Sequence, residues 1–179
     1  MKNITWYWNL LHYNLFIWYQ NAHKIFNYIN PFSHLFKIPF VKKFYAKNGV
    51  DDMKQHIETR IFHDKEKGIN SVWAGIQIGG LFVIIEYGIF NIIQGLIGKS
   101  LIHTIWEDNI FAIVFVILLV GIAGLFNYFA LFKSDKYLIY FDEFEKWPKI
   151  KRVNYGWGCV MAVVLIIIFL IISFYFVPN

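Results

Sequence analysis

Two long runs without a charged residue constrain this chain more than any other feature. One runs from residue 109 to residue 132, and the other from residue 156 to the C-terminus. Each exceeds the ~18–20 apolar residues that an α-helix needs to cross about 30 Å of hydrocarbon. A third run, 69–98, is as long but contains one charge, Glu86. We therefore predict an all-α membrane protein with three transmembrane helices, at about 70–97, 110–132 and 156–176.

The composition agrees with this class. Hydrophobic residues make up 58% of the chain and aromatic residues 21%, whereas a soluble domain is typically about 45–50% apolar. The single cysteine, Cys159, cannot form an intramolecular disulfide, and we expect it to be a small packing residue of the third span.

The distribution of lysine and arginine predicts the orientation of the spans. Residues 1–70 carry ten of them, residues 98–109 carry one, residues 133–155 carry six, and the C-terminal segment carries none. Because cytoplasmic flanks are enriched in Lys and Arg, the alternation predicts a cytoplasmic N-terminus and an external C-terminus. The richness in Lys, Asn, Ile and Phe is typical of AT-rich microbial coding sequences, so we expect the inner (cytoplasmic) membrane of a bacterium.

Residues 1–68 are predicted to form a cytoplasmic or interfacial region, followed by a membrane domain over residues 69–179. The region begins with an aromatic amphipathic helix at about 4–30, continues with a basic linker at 31–48 and ends with a short helix at about 50–67. In the first helix, most polar side chains share one side at about 100° per residue. They are Asn9, His12, Gln20, His23, Lys24, Asn27 and Asn30.

Tryptophan and tyrosine suit the headgroup level of a bilayer. We therefore expect this first helix either to lie in the membrane plane or to be buried against a partner or the protein's own spans. A further cytoplasmic helix is expected between the second and third spans, with Ser134 as its N-cap and Pro148 at its end.

Basic residues near the predicted cytoplasmic face are candidates for contact with anionic lipid headgroups. They are Lys37, Lys42, Lys43, Lys146, Lys149, Lys151 and Arg152. Lysines interleaved with aromatic residues also suit nucleic acid, but the sequence contains no recognisable nucleic-acid module. We expect membrane lipids rather than nucleic acid as the partner, because positive-inside topology already explains the net charge of +5.

One charged face is a candidate enzymatic or metal site. Asp52, His56, Arg60 and His63 follow one another at spacings that share one side of a helix, and aspartate and histidine are metal ligands. Arg60 would repel a cation, however, and the sequence has no HExxH motif, phosphate-binding loop or nucleophile elbow. A solvated charged face is the simpler interpretation, so we predict no catalytic residue, no metal and no cofactor.

Glycine and amide residues predict two packing faces on the first span, since small residues let helices approach closely and amides bond across the contact. The glycine–amide face comprises Gln77, Gly80, Gly88, Asn91, Gly95 and Gly98. The acid stripe comprises Gly75, Gly79 and Glu86. The second span adds Gly121, Gly124 and Asn127, and we expect Asn127 to pair with Glu86 or Asn91. The third span is aliphatic nearly all round and is expected to be the most exposed to lipid.

Glu86 is the main candidate for a functional residue within the spans, because a charge at the bilayer centre costs at least ~2.5–3.5 kcal/mol. It could line a proton or cation path, act as a neutral hydrogen-bonding acid in a helix interface, or pair with a basic group of another chain. The interface is favoured, since three spans are too few for the repeated architecture of a transporter.

We predict a non-enzymatic structural or accessory subunit of a larger membrane complex, with other membrane protein chains as partners. The alternative is a homo-oligomeric pore or ion or proton channel, for example a membrane-disrupting defence effector. In that case the stripe of Gln77 and Asn91, or that of Glu86, lines the conduit. An enzyme built on the face from Asp52 to His63 is the third hypothesis.

Overall fold

The chain is helical throughout the part that the structure describes. The computed structural model describes residues 3–29, 38–47 and 53–178, and these ranges contain no β-strand. The α-helices are α1 (Ile4–Ile29), α2 (Pro39–Lys47), α3 (Met53–His56), α4 (Ile69–Ile97), α5 (Leu101–Glu107), α6 (Asn109–Asn127), α7 (Lys136–Glu145) and α8 (Lys149–Ser173). Two π-helical segments, Ile57–Phe62 and Tyr128–Phe132, and two 3₁₀ turns, Lys133–Asp135 and Phe174–Phe176, extend them. The all-α prediction is confirmed.

Three helices of the described chain are long and apolar enough to cross a membrane. They are α4, the helical stretch Asn109–Glu145 that contains α6 and α7, and the stretch Lys149–Phe176 that begins with α8. This confirms the prediction of three candidate spans. The third helix begins at Lys149 rather than near residue 156, because helix formation needs only a suitable start after Pro148 and does not need a charge-free composition.

The chain divides into two compact units, one formed by Met1–Leu11 and Gln77–Asn179 and the other by His12–Ile76. In the first unit, an aromatic core surrounds Trp6. Its ring lies 5.6 Å from Phe144, 5.9 Å from Trp147 and 5.9 Å from Tyr155. Such pairs contribute about 0.5–1.5 kcal/mol each beyond area burial. They hold the start of α1 against α7 and the start of α8.

Two residues in the left-handed conformation separate α6 from α7. The φ angles are 59° at Ser134 and 51° at Asp135. The predicted Ser134 cap is wrong, because α7 begins at Lys136 and Asp135 occupies the N-cap position, without a side-chain cap bond. Left-handed backbone costs about 1–2 kcal/mol per non-glycine residue. The kink separates α7 from the preceding segment Tyr128–Phe132, and Lys136 Nζ donates to the Phe129 carbonyl at 3.0 Å nearby.

The N-terminal helix is present as α1, close to the predicted bounds. Its polar side chains Asn9 and His12 are fully buried, while Ile25, Phe26 and Tyr28 near its C-terminal end are exposed. Burial lowers the pKa of His12 to about 4. The amphipathic, in-plane character of this helix stays a prediction.

In the second unit, the helix expected over about 50–67 is α3 followed by the π-helical segment, which ends at Phe62. A tight turn follows, in which the Asp64 carboxylate accepts from the backbone amides of Glu66 and Lys67 at 2.8 and 2.6 Å. Only glycine fits at position 68, since a Cβ there would collide with the Asp64 and Phe62 backbone. The predicted linker lysine Lys37 lies outside the described residues, as does Asp52.

Candidate functional site

The α4–α8 seam is formed by one part of the glycine–amide face, namely Gly88, Asn91 and Gly95. A Cβ at Gly88 would overlap the Phe169 ring, and a Cβ at Gly95 would overlap the Phe176 carbonyl. The two helices therefore approach each other at glycine. Asn91 Nδ2 donates to Ser173 Oγ across this contact at 3.0 Å. The hydroxyl in turn donates to the Leu170 carbonyl at 2.6 Å.

Gln94, which the sequence analysis missed, extends this network. Its Nε2 donates to Asn91 Oδ1 at 3.4 Å, and its Oε1 accepts from the Ile102 backbone amide at 2.7 Å. The bond to Ile102 ties the start of α5 back onto the first span. The signal was available, because an amide three residues after Asn91 lies on the same helical face.

The α4–α6 seam contains Glu86. Phe82 stacks on Phe126 at 4.3 Å, and Phe90 meets Phe115 at 4.8 Å. Glu86 lies four residues from each α4 phenylalanine and therefore on the same stripe. Both carboxylate oxygens are buried and have no hydrogen-bond partner among the described residues. A carboxylate in such surroundings is costly when it is charged.

Asn127 bonds with α1 rather than with the polar residues of α4. Its Oδ1 accepts from Trp8 Nε1 at 2.8 Å, and its Nδ2 donates to the Ala123 carbonyl at 2.8 Å. Asn9 Nδ2 donates to the Ala130 carbonyl at 3.0 Å. The expected pairing of Asn127 with Glu86 or Asn91 is therefore wrong. Helical spacing within the spans shows which residues of a span share a face. It could not reveal that the start of α1 docks on the end of α6.

Several predicted packing residues make no close contact. No described atom outside the local backbone lies within 4 Å of a Cβ built at Gly80, Gly121 or Gly124. Gln77 is exposed. Gly79 belongs to the α4–α6 seam, since a Cβ there would lie 3.8 Å from Asn127 Nδ2. Gly75 is half-buried in the second unit.

The third span is not more exposed than the second. In the most apolar stretch of each of these two spans, 11% of the residues are buried, compared with 22% of the residues in the corresponding stretch of α4. The expectation that the third span is the most lipid-exposed is therefore not confirmed, because the second span is buried to the same extent. Cys159 is buried, with its Sγ 3.8 Å from the Leu10 carbonyl.

The described basic candidates are all solvent-exposed. Lys42 and Lys43 lie on α2, and the others lie at the α7–α8 turn and the start of α8: Lys146, Lys149, Lys151 and Arg152. The ammonium of Lys151 lies 3.9 Å from the centre of the Trp147 ring. This arrangement joins a cation to an aromatic side chain of the kind found at bilayer interfaces.

A polar cluster joins three elements of the second unit. Asn27 Nδ2 of α1 donates to Glu58 Oε1 at 3.1 Å and lies 3.1 Å from His23 Nε2. The His23 ring stacks on Phe62 at 3.8 Å and meets the His63 ring edge-on at 5.6 Å. Burial lowers the pKa of His23, while the Glu58 charge opposes this shift.

His63 joins the start of α4 to the same cluster. Its Nδ1 lies 3.1 Å from Asn70 Nδ2. Burial lowers its pKa, and the charges of His23 and Lys24 lower it further against the opposing effect of Glu58.

The charged face predicted from Asp52 to His63 is only partly described. Arg60 is exposed and His56 half-buried, and His63 contacts Asn70 and His23. Within residues 3–29, 38–47 and 53–178, no group of three His, Cys, Asp or Glu side chains is placed to hold a metal ion.

Comparisons with protein-family models, with curated proteins and with solved structures return no match for this chain. The structure thus defines a class, an all-helical chain with three helices able to span a membrane.

Proposed function

We propose that this chain is a non-enzymatic structural or accessory subunit of a larger membrane complex. The observation that carries the proposal is the use of its intramembrane amides. Asn91, Gln94 and Asn127 all bond to groups of the same chain. Polar side chains committed in this way stabilise helix packing and are not available to line a water-filled path.

The exposed surface of α6 around Gly121 and Gly124 suits contact with another protein in the membrane. Gly121 and Gly124 lie three residues apart on α6, exposed and without a close neighbour among the described residues. Small residues on one face of a span let a second helix approach closely. We propose that another membrane protein chain covers this face.

The proposed location is the inner membrane of a bacterium, with the N-terminus in the cytoplasm. Its support is the alternation of basic-rich and basic-poor flanks, with ten Lys and Arg before the first span and six between the second and third. The exposed basic residues at 146–152 would then face the cytoplasmic headgroups.

Helix α2 is proposed to lie on the anionic lipid surface. At about 100° per residue its side chains separate into two arcs. Phe40, Val41, Phe44 and Tyr45 form one, and Lys42, Lys43 and Lys47 form the other. No residue of α2 is buried, and Phe40 is 80% exposed. An apolar arc flanked by lysines fits the boundary between headgroups and acyl chains.

A spin label tests this placement. In vesicles containing anionic lipid, a label at Phe44→Cys should collide more often with oxygen than with a charged nickel reagent. A label at Lys43→Cys should show the reverse preference. Equal accessibility at both positions would contradict the in-plane placement.

The rival function is a homo-oligomeric pore or proton channel. It is favoured by one observation, the two buried oxygens of Glu86 without a hydrogen-bond partner among the described residues. A ring of copies would multiply this acid around an axis. We rank it second, because Glu86 lies on the stripe whose phenylalanines pack on α6 of the same chain.

Gentle detergent extraction from the native membrane separates the two functions. The subunit proposal predicts a discrete assembly that contains at least one unrelated membrane chain. In Gly121→Leu that chain should be lost while the thermal stability of the protein is kept. Val116→Leu, a substitution at an exposed residue about 140° around α6 from Gly121, serves as the matched control and should keep the partner. Recovery of this chain alone, as a ring that conducts ions, would contradict the proposal.

A further inference from the structure

The polar cluster of the second unit has hydrogen bonds that depend on the protonation state of His23. Glu58 is the starting point, because an ionised carboxylate can only accept hydrogen bonds. The amide group of Asn27 must therefore present its nitrogen, not its oxygen, to Glu58 Oε1 at 3.1 Å. This contact fixes the orientation of the Asn27 amide.

The same nitrogen faces His23. Asn27 Nδ2 carries two hydrogens, and the second points to His23 Nε2 at 3.1 Å. His23 Nε2 must then accept, so its ring is neutral and carries its proton on Nδ1. A proton added to Nε2 would bring two donors face to face. Rotating the Asn27 amide would not help, since its oxygen would then face the Glu58 carboxylate.

His63 differs from His23 in this respect. Its contact with Asn70 Nδ2 can re-form after protonation if the Asn70 amide rotates and presents its oxygen. The closeness of the two rings, 5.6 Å between centroids, disfavours a charge on both. His23 is therefore the group whose protonation the arrangement cannot accommodate.

We propose that His23, Asn27 and Glu58 form a pH-sensitive latch that holds the π-helical segment Ile57–Phe62 against α1 at neutral pH and releases it on acidification. The segment connects through His63 and Asn70 to the start of α4, so release loosens the connection to the first span. The latch acts within one chain, whatever complex that chain joins.

The charges around His23 set the direction of the effect. Glu58 attracts a proton to the ring, whereas burial disfavours the charged form and dominates, which lowers the pKa of His23. The charges of His23 and Lys24 lower the pKa of the neighbouring His63, and the Asp64 carboxylate accepts from the backbone amides of its own turn. A pKa lowered on folding means that the latch is at full strength above the ordinary histidine value and is lost as the pH falls below it.

Hydrogen exchange of the full chain in nanodiscs tests the latch. After correction for intrinsic exchange rates, the amides of residues 57–62 should lose protection several-fold between pH 7.5 and pH 5. His23→Phe keeps a ring for stacking on Phe62 but cannot be protonated, so its protection should not change over this range. His103→Gln removes an exposed histidine elsewhere and should behave as the wild type.

A second measurement uses the wild-type protein and therefore tests the latch even if the His23→Phe variant does not fold. Nitrogen NMR of the wild-type histidines at pH 7.5 should show His23 neutral, with its proton on Nδ1. A His23 proton on Nε2, or protection of residues 57–62 that does not vary with pH, would overturn the proposal. An unchanged acid response in folded His23→Phe would overturn it as well.

Discussion

Gly95→Ala tests the closeness of the α4–α8 seam. The added methyl group would meet the Phe176 carbonyl and Cβ, which belong to or adjoin the backbone and cannot rotate away. Overpacking of this kind typically costs about 1–3 kcal/mol. It opposes a gain in helix propensity of about 0.5–1 kcal/mol from replacing glycine. We expect Gly95→Ala to be destabilising by roughly 0.5–2 kcal/mol net.

The chain supplies its own controls. Gly121→Ala adds the same methyl group to an exposed glycine without a close neighbour among the described residues. It should therefore be neutral or stabilising by up to about 1 kcal/mol. Gly88→Ala should fall between the two, because the methyl group meets the end of the Phe169 ring, which can shift.

Reversible unfolding in mixed micelles measures all three variants. The reasoning requires the order Gly121→Ala most stable, Gly88→Ala intermediate and Gly95→Ala least stable. Equal stabilities for Gly95→Ala and Gly121→Ala would refute the packing of α8 on α4, since glycine replacement alone would then explain both.

Three further perturbations follow from named contacts. The pKa of His12 is lowered to about 4 by burial, so the stability that depends on its neutral form is complete above pH 6.5 and is lost as the pH falls toward 4. The loss approaches about 3 kcal/mol in an unfolding titration and should be absent in His12→Leu. Asp135→Gly should raise the melting temperature and Asp135→Val lower it, because the φ of 51° at this position favours glycine. Asn91→Leu should cost about 0.6–1.7 kcal/mol, and a double-mutant cycle with Ser173→Ala should show coupling rather than additivity.

The membrane class and the number of candidate spans could be predicted because both depend on length and hydropathy alone. The glycine–amide face could also be predicted in part, since Gly88, Asn91 and Gly95 recur at helical spacing and pack on α8. Helical spacing identifies the residues that share a face. It does not reveal which helix covers that face. The sequence therefore could not distinguish Gly88, which packs against another helix, from Gly80 and Gly121, which have no close neighbour among the described residues.

Contacts between residues far apart in the chain could not be predicted from the sequence pattern. Trp8 and Asn9 bond to residues more than a hundred positions away in the chain, and nothing in their local sequence specifies those partners. The turn after α6 was misjudged for a related reason. Serine is a frequent helix cap, but the left-handed backbone at Ser134 and Asp135 depends on how α7 must turn to bury its aromatic side chains.

The most direct test of the central claim is single-channel and flux recording on the purified protein in liposomes, combined with identification of every chain that co-purifies from the native membrane. The account predicts an assembly with at least one unrelated membrane chain, and liposomes that stay ion-tight with either wild type or Glu86→Gln. A ring of this chain alone that conducts ions, with the current abolished in Glu86→Gln, would contradict it.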